Sequence, residues 1–205
     1  MSLEDARYSV IRYLASDIPN AYGPHVSDPR SGEIIESHVG WYHNVMSLLH
    51  GWYQVQAGIV DARARKPKFD EELMGQLIRF VSSHEIGHTL GLRHNKGASW
   101  ATPVDSLRNK AWVEKYGHTA SIMDYARFNY VAQPEDNISE AGIFPRINDY
   151  DEWAINWGYR YFPDAQSEKE ERLILNKLTI AQLAKSQRYW FGGEGNDNDP
   201  RAQSE

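Results

Sequence analysis

The stretch His84-Glu85-Ile86-Gly87-His88-Thr89-Leu90-Gly91-Leu92-Arg93-His94 carries the most specific chemical signal in the chain. Residues four apart on a helix lie nearly above one another, so His84 and His88 can present two imidazoles to a single ion. Glu85 stands about 100° round the helix from His84, within reach of water on that ion without being a ligand itself. Gly91 can let the backbone turn sharply after the helix and bring His94 round as a third nitrogen. Three protein ligands and an open fourth position form the arrangement of a catalytic zinc site, whereas structural sites are closed and usually rich in Cys. Cys is absent here, so any metal must be held by His, Asp or Glu. The competing reading is a helix with incidental histidines. It would bury a Glu and two His along one stripe with nothing to compensate them, which is costly.

A helix must carry this motif, and the sequence supplies one. Asp70 is a natural N-cap, Glu71 and Glu72 suit the positive end of the dipole, and Leu73, Leu77, Ile78 and Val81 recur at helical spacing up to a stop at Gly91. Upstream, residues 8–14 alternate as a strand, with Tyr8, Val10, Arg12 and Leu14 on one face and Ile11 and Tyr13 on the other. Residues 18–24 contain Pro19, Asn20, Gly23 and Pro24 and read as a loop or irregular edge strand. Turn chemistry at residues 28–32 and a returning strand at 33–37 predict a hairpin over 25–37. Trp41, Val45, Leu48, Leu49 and Trp52 predict an amphipathic helix of roughly four turns. Downstream, short helices are expected, the clearest at residues 106–116. A further helix is expected at 149–157, anchored in the core by Trp153 and Trp157, and a last one after the capping box Ser167–Glu170. From Gly192 the Gly, Asn and Asp content predicts a disordered tail. Within it the run at residues 196–199 lacks the Gly and Glu spacing of a calcium loop.

With 205 residues, 41% hydrophobic and 24% charged, the chain reads as one globular domain or one domain with an appendage. A net charge of −6 argues against a nucleic-acid partner. No run approaches the roughly 18 apolar residues that would span a membrane. The chain starts almost at once into a strand and finishes on a polar tail, as expected of a piece excised from a longer polypeptide.

Taken with Ser121-Ile122-Met123-Asp124-Tyr125, the H-E-x-x-H-x-x-G-x-x-H motif resembles that of the metzincin clan of zinc peptidases. The resemblance implies an α+β fold: an upper subdomain (residues 1–91) with a twisted mixed sheet and long helices, and a lower irregular subdomain (92–162). The lower part would carry the third ligand, a methionine turn and a closing helix, with a helical extension (163–191) and the tail (192–205) after it. It implies Zn2+ on His84, His88 and His94, with Glu85 and Tyr125 as catalytic residues. Met123 would be a hydrophobic floor beneath the metal and Gly91 the turn that delivers His94. More narrowly, residues 28–34, 84–95 and 119–136 are similar to large bacterial zinc-dependent metalloproteases, multidomain proteins with flanking domains of unknown function. That similarity covers about residues 7–162. It implies flanking domains in a longer parent protein and export to the periplasm, cell surface or medium. Two departures stand out: the clan's usual first helix is not visible upstream, and a helix-bearing insertion at about 39–70 precedes the zinc helix.

The function expected is therefore a zinc endopeptidase acting on peptides or proteins. Glu85 would serve as general base and then general acid, with Tyr125 meeting charge on the carbonyl oxygen. Residues 22–27 are the expected edge strand for an extended substrate, provided Pro24 turns its missing N–H away from the peptide. The alternative is a silent or latent zinc-holding module that binds a protein or glycan; hydrolysis of a non-peptide amide is a third. His25 reads as a surface histidine or a cleft residue, and His38, His43 and His50 as core or surface residues. His118 reads as an ordinary structural histidine or as one that steadies the methionine turn, and Asn95 as a brace for the third ligand. Arg127, Asn129 and Tyr130 fit either a specificity pocket or simple packing, and the sequence does not separate the two.

Overall fold

The computed structural model describes residues 3, 5–193, 199 and 201. Its sheet contains β1 (Val10–Leu14), β2 (Ala21–Tyr22), β3 (His25–Ser27) and β4 (Ile34–Tyr42). β4 lies in the middle. β1 runs parallel to it, with Val10 opposite His38, while β2 and β3 run antiparallel, with Tyr22 opposite Gly40 and His25 opposite Ser37. The alternation expected in β1 is present, since Ile11 is 72% exposed while Val10, Arg12 and Leu14 turn inward. The turn between β3 and β4 closes through the Gly32 N–H on the Asp28 carbonyl at 2.8 Å, with Gly32 at φ +76°. That angle costs glycine nothing.

The returning strand is longer than its sequence suggests. It runs on to Tyr42 and takes in Trp41, which the apolar spacing had assigned to the following helix. The reason lies in its partners, because β4 is paired on both sides and Gly40 makes room for the Tyr22 ring. A Cβ at residue 40 would stand 2.2 Å from that ring.

Six α-helices follow among the described residues. α1 (Val45–Ala57) buries Val45, Leu49, Tyr53 and Ala57, one residue per turn. α2 (Glu71–Thr89) starts as expected, with the Asp70 carboxylate accepting from the Leu73 N–H at 2.9 Å, and buries Leu73, Leu77 and Val81. These two stripes meet Phe128 and Ile143 in the main core. The next two residues along the buried face of α2 are His84 and Glu85, so the stripe that packs the core also aims the motif inward.

At the end of α2 the Leu92 N–H reaches back to the Gly87 carbonyl at 3.0 Å and the Gly91 N–H to the His88 carbonyl at 2.9 Å, with Gly91 at φ +86°. This is the glycine-dependent helix stop that satisfies the last carbonyls. Beyond it come a 3-10 turn (Val104–Arg108), α3 (Lys110–Tyr116), α4 (Glu140–Ile143), α5 (Asp149–Tyr159) and α6 (Glu168–Leu183). α6 is capped by Ser167 and contributes no fully buried residue.

The two expected anchors of α5 part ways, for Trp153 is partly buried. Trp157 is 45% exposed, and the one fully buried residue of α5 is Asp151. The fold is thus α+β, as expected, with a small mixed sheet and several helices. No described helix is long and apolar enough to cross a membrane. The run at 196–198 and most of the expected tail lie outside the described residues. Gly192 does not stand apart, for its N–H donates to Asn95 Oδ1 at 2.9 Å.

Candidate metal centre

His84 and His88 project from the last two turns of α2, and the turn at Gly91 returns His94 to face them. The ring centroids lie 4.8 Å (His84–His88), 5.2 Å (His84–His94) and 4.6 Å (His88–His94) apart. One nitrogen from each ring falls within 4.8 Å of the others, and no other such His, Cys, Asp or Glu group occurs among the described residues. His84 Nδ1 donates to the Ile122 carbonyl at 2.8 Å and His88 Nδ1 to the Leu92 carbonyl at 2.9 Å. A carbonyl can only accept, so in both rings the proton sits on Nδ1 and Nε2 carries the lone pair that could ligate a metal. His88 Nε2 lies 3.0 Å from His94 Nε2. Nitrogens on a tetrahedral zinc at about 2.0–2.1 Å would be separated by roughly 3.3 Å. The donor set therefore fits a zinc ion. Burial pushes the His84 pKa down to about 4, which keeps the ring in its neutral, ligating form at physiological pH.

Glu85 lines the same cavity, of about 880 Å³, as the three imidazoles. It is 7% exposed and its carboxylate has no hydrogen-bond partner among the described residues. Burial alone pushes its pKa up to about 7. A carboxylate desolvated by its surroundings yet lining the cavity beside three imidazoles is placed to exchange a proton near neutrality. The Tyr125 hydroxyl lies 3.0 Å from His94 Nε2 and 3.3 Å from Nδ1. The residue is 37% exposed, so its hydroxyl can be reached from the cavity. Met123 is fully buried and packs its sulfur against Gly87, where a Cβ would stand 2.4 Å from Sδ. A residue without a side chain between the two helical histidines lets the methionine lie directly beneath them.

The groups that hold these residues are mostly long-range. Asp151, at the start of α5, accepts from Ser121 Oγ at 2.6 Å, the Ile122 N–H at 2.8 Å and the Asn148 N–H at 2.9 Å. Ser121 Oγ in turn accepts from the Met123 N–H at 3.0 Å. One carboxylate thus fixes the turn that supplies both the His84 acceptor and the methionine. The sequence reading passed over Asp151, although its capping-box spacing from Asn148 marks it as a helix-start residue. Asp124 Oδ2 accepts from the Ser99 N–H at 2.6 Å and Thr119 Oγ at 2.8 Å, and burial pushes its pKa up to about 6.

Asn95 braces the backbone beside His94 rather than the imidazole. Its N–H donates to the Met123 carbonyl at 3.0 Å, and its side chain bonds Trp190 and Gly192. His118 Nε2 donates to the Arg127 carbonyl at 3.1 Å, four residues past the methionine.

His25 belongs with the cleft, since its Nδ1 donates to the His88 carbonyl at 2.9 Å and ties β3 to α2. Gly23 beside it lies so close to the helix that a Cβ would stand 2.3 Å from the Glu85 carbonyl oxygen. His38, His43 and His50 are elsewhere, against Tyr22, Tyr13 and Phe69 respectively. Among comparisons with known proteins, residues 66–205 match a family model described as Met-zincin. No curated protein and no solved structure matches the chain.

Proposed function

The chain belongs to the Met-zincin family, and from that premise we propose that it is an endopeptidase that uses a zinc ion held by His84, His88 and His94. The observation that carries the reading is the buried, unpartnered Glu85 in one cavity with three imidazoles whose ligand atoms converge. Only catalysis has a use for a carboxylate there. When bound, zinc supplies a Lewis acid that polarises a carbonyl and acidifies water. Glu85 accepts the proton of the attacking water and delivers it to the departing amine, for which a pKa near 7 is well matched. The Tyr125 hydroxyl donates toward the carbonyl oxygen as charge gathers on it. Met123 and Gly91 position the ligands without touching substrate.

The substrate lies extended in the cleft between the halves formed by residues 1–91 and 92–162. Support for this comes from β2 and β3, which pair with β4 on one side and border the cavity on the other. The Pro24 carbonyl accepts from the His38 N–H of β4 at 3.2 Å. In an extended strand a residue's nitrogen and carbonyl face the same side, so the missing Pro24 donor also faces β4 and spares the open edge. Peptide addition to that edge follows the usual mode of strand augmentation.

The test compares zinc-loaded wild type and Glu85→Ala on casein and on an internally quenched peptide library. Wild type is expected to cleave, and the variant to lose about 10²- to 10⁴-fold in rate while keeping its zinc. Equal signals from both proteins, each with zinc bound, would overturn the reading in favour of a zinc-holding binding module.

A further inference from the structure

From the three histidines the cavity continues along α2 into an apolar recess formed by Val45, Leu48, Trp52, Phe80 and Val81. Of the two arginines that line the cavity, Arg93 adjoins His94 in the chain and Arg127 lies against Trp52 of the recess. The Arg127 guanidinium lies over the Trp52 ring, 4.1 Å from its centroid. Among the described residues no carboxylate pairs with it. The two carboxylates of the cavity are otherwise disposed, as Asp124 is engaged by Ser99 and Thr119, and Glu85 makes no bond to the guanidinium.

The backbone at Arg127 is held for this orientation. Its φ is +39°, one of two positive values among described non-glycine residues, in a region that side chains disfavour. The peptide that follows it is held at both of its polar ends: the Arg127 carbonyl accepts from His118 Nε2 at 3.1 Å, and the Phe128 N–H donates to Gln56 Oε1 at 3.2 Å. A disfavoured conformation held in this way next to a cleft is the kind of strain that functional sites retain.

We infer that Arg127 is a specificity-determining residue that selects peptides carrying an Asp or Glu side chain next to the bond to be cut. The inference rests on the peptidase reading for the meaning of "next to the bond" and on the geometry for the charge. A guanidinium over an indole, with no carboxylate paired to it among the described residues, has N–H donors to offer, and those donors match a carboxylate in a bidentate pair. The recess begins one helical turn from His84, at Phe80 and Val81, about 5–6 Å along the axis. A side chain adjacent to a carbonyl held at the histidines therefore reaches it. The apolar walls take the methylenes of the side chain and Arg127 takes its charge.

The experiment measures fluorescence-anisotropy binding to zinc-loaded Glu85→Gln protein, using peptides that differ only in Glu, Gln, Leu or Lys at the positions flanking one bond. The Glu peptide is expected to bind about 10- to 100-fold more tightly than the Gln peptide, as for a hydrogen bond to a charged partner. That gap should vanish in Glu85→Gln with Arg127→Gln, and Arg127→Glu in the same background should turn the preference toward the Lys peptide. Equal affinity for the Glu and Gln peptides in Glu85→Gln protein overturns the inference, whether or not the Arg127 variants fold. Wild-type cleavage of the same peptides reports separately on hydrolysis. A charge preference in binding with no cleavage would refute the peptidase reading and leave Arg127 as the selector of a bound ligand.

Discussion

Replacing Asp151 by alanine takes away the acceptor for two backbone N–H groups, of Ile122 and Asn148, and for the Ser121 hydroxyl. The site is 2% exposed, so bulk solvent does not reach these groups. The hydroxyl can rotate to another partner. The two amides cannot, and each buried unsatisfied donor costs about 1–3 kcal/mol, for a loss of about 2–6 kcal/mol. Asparagine is a milder change. Oδ2 of the native carboxylate serves both amides, so a single amide oxygen can keep them while the new NH2 faces Ser121 Oγ. What then goes is the charge on the acceptor, at about 1–2 kcal/mol. Urea unfolding of chelator-treated protein, followed by Trp fluorescence, should give the order wild type, Asp151→Asn, Asp151→Ala. The Ile122 carbonyl that orients His84 rides on the same turn, so zinc affinity in a competition titration should also fall, by about 10- to 100-fold for alanine. An alanine variant within about 0.5 kcal/mol of wild type, or one with undiminished zinc affinity, would show that this carboxylate does not hold the turn.

Three other substitutions probe separate parts of the site. Gly23→Ala sets a Cβ 2.3 Å from the Glu85 carbonyl oxygen, where backbone meets backbone and neither rotates away. It should keep zinc but lose about tenfold or more in cleavage as the substrate edge shifts, and unchanged kinetics would contradict that placement. Gly87→Ala gains about 0.5–1 kcal/mol of helix propensity but meets Met123 Sδ at 2.4 Å. Overpacking costs about 1–3 kcal/mol, so the variant should be less stable and hold zinc more weakly; a more stable variant would mean that Met123 moves freely. His118 is buried and neutral, its pKa pushed by burial from 6.5 down to about 4. The unfolded chain therefore binds the extra proton between those values, and about 3 kcal/mol of stability disappears as pH falls from 6.5 to 4. His118→Gln, which keeps a donor for the Arg127 carbonyl, should flatten that slope in metal-free protein, and an unaltered slope would assign the acid sensitivity to other groups.

What could be read from the sequence was whatever local physics decides. The Asp70 cap, the stripe from Leu73 to Val81 and the glycine stop at Gly91 are all set within a few residues of one another, and each is found where expected. The convergence of His84, His88 and His94 follows from helical spacing plus one turn, so it was legible as well. What was missed depends on partners far along the chain. β4 reaches Tyr42 because β1 and β2 flank it, whereas the spacing of Trp41 and Val45 suggested only a helix. Asp151 acts 29 and 30 residues from its own position, and His25 acts 63 residues away on the His88 carbonyl. Trp153 and Trp157 shared a helical face in sequence, yet a buried carboxylate fixes that helix. Arg127 was open between packing and specificity, and its backbone angle and its place over Trp52 give it a direction that no sequence pattern encodes.

Zinc content and local geometry test the central claim together: metal analysis and zinc-edge X-ray absorption on protein stripped with chelator and reloaded with one equivalent. The account predicts one zinc per chain with three imidazole nitrogens, lost on replacing His84, His88 or His94 by alanine and retained in Glu85→Gln. No recoverable stoichiometric zinc, or zinc whose surroundings are unchanged by His94→Ala, would contradict it.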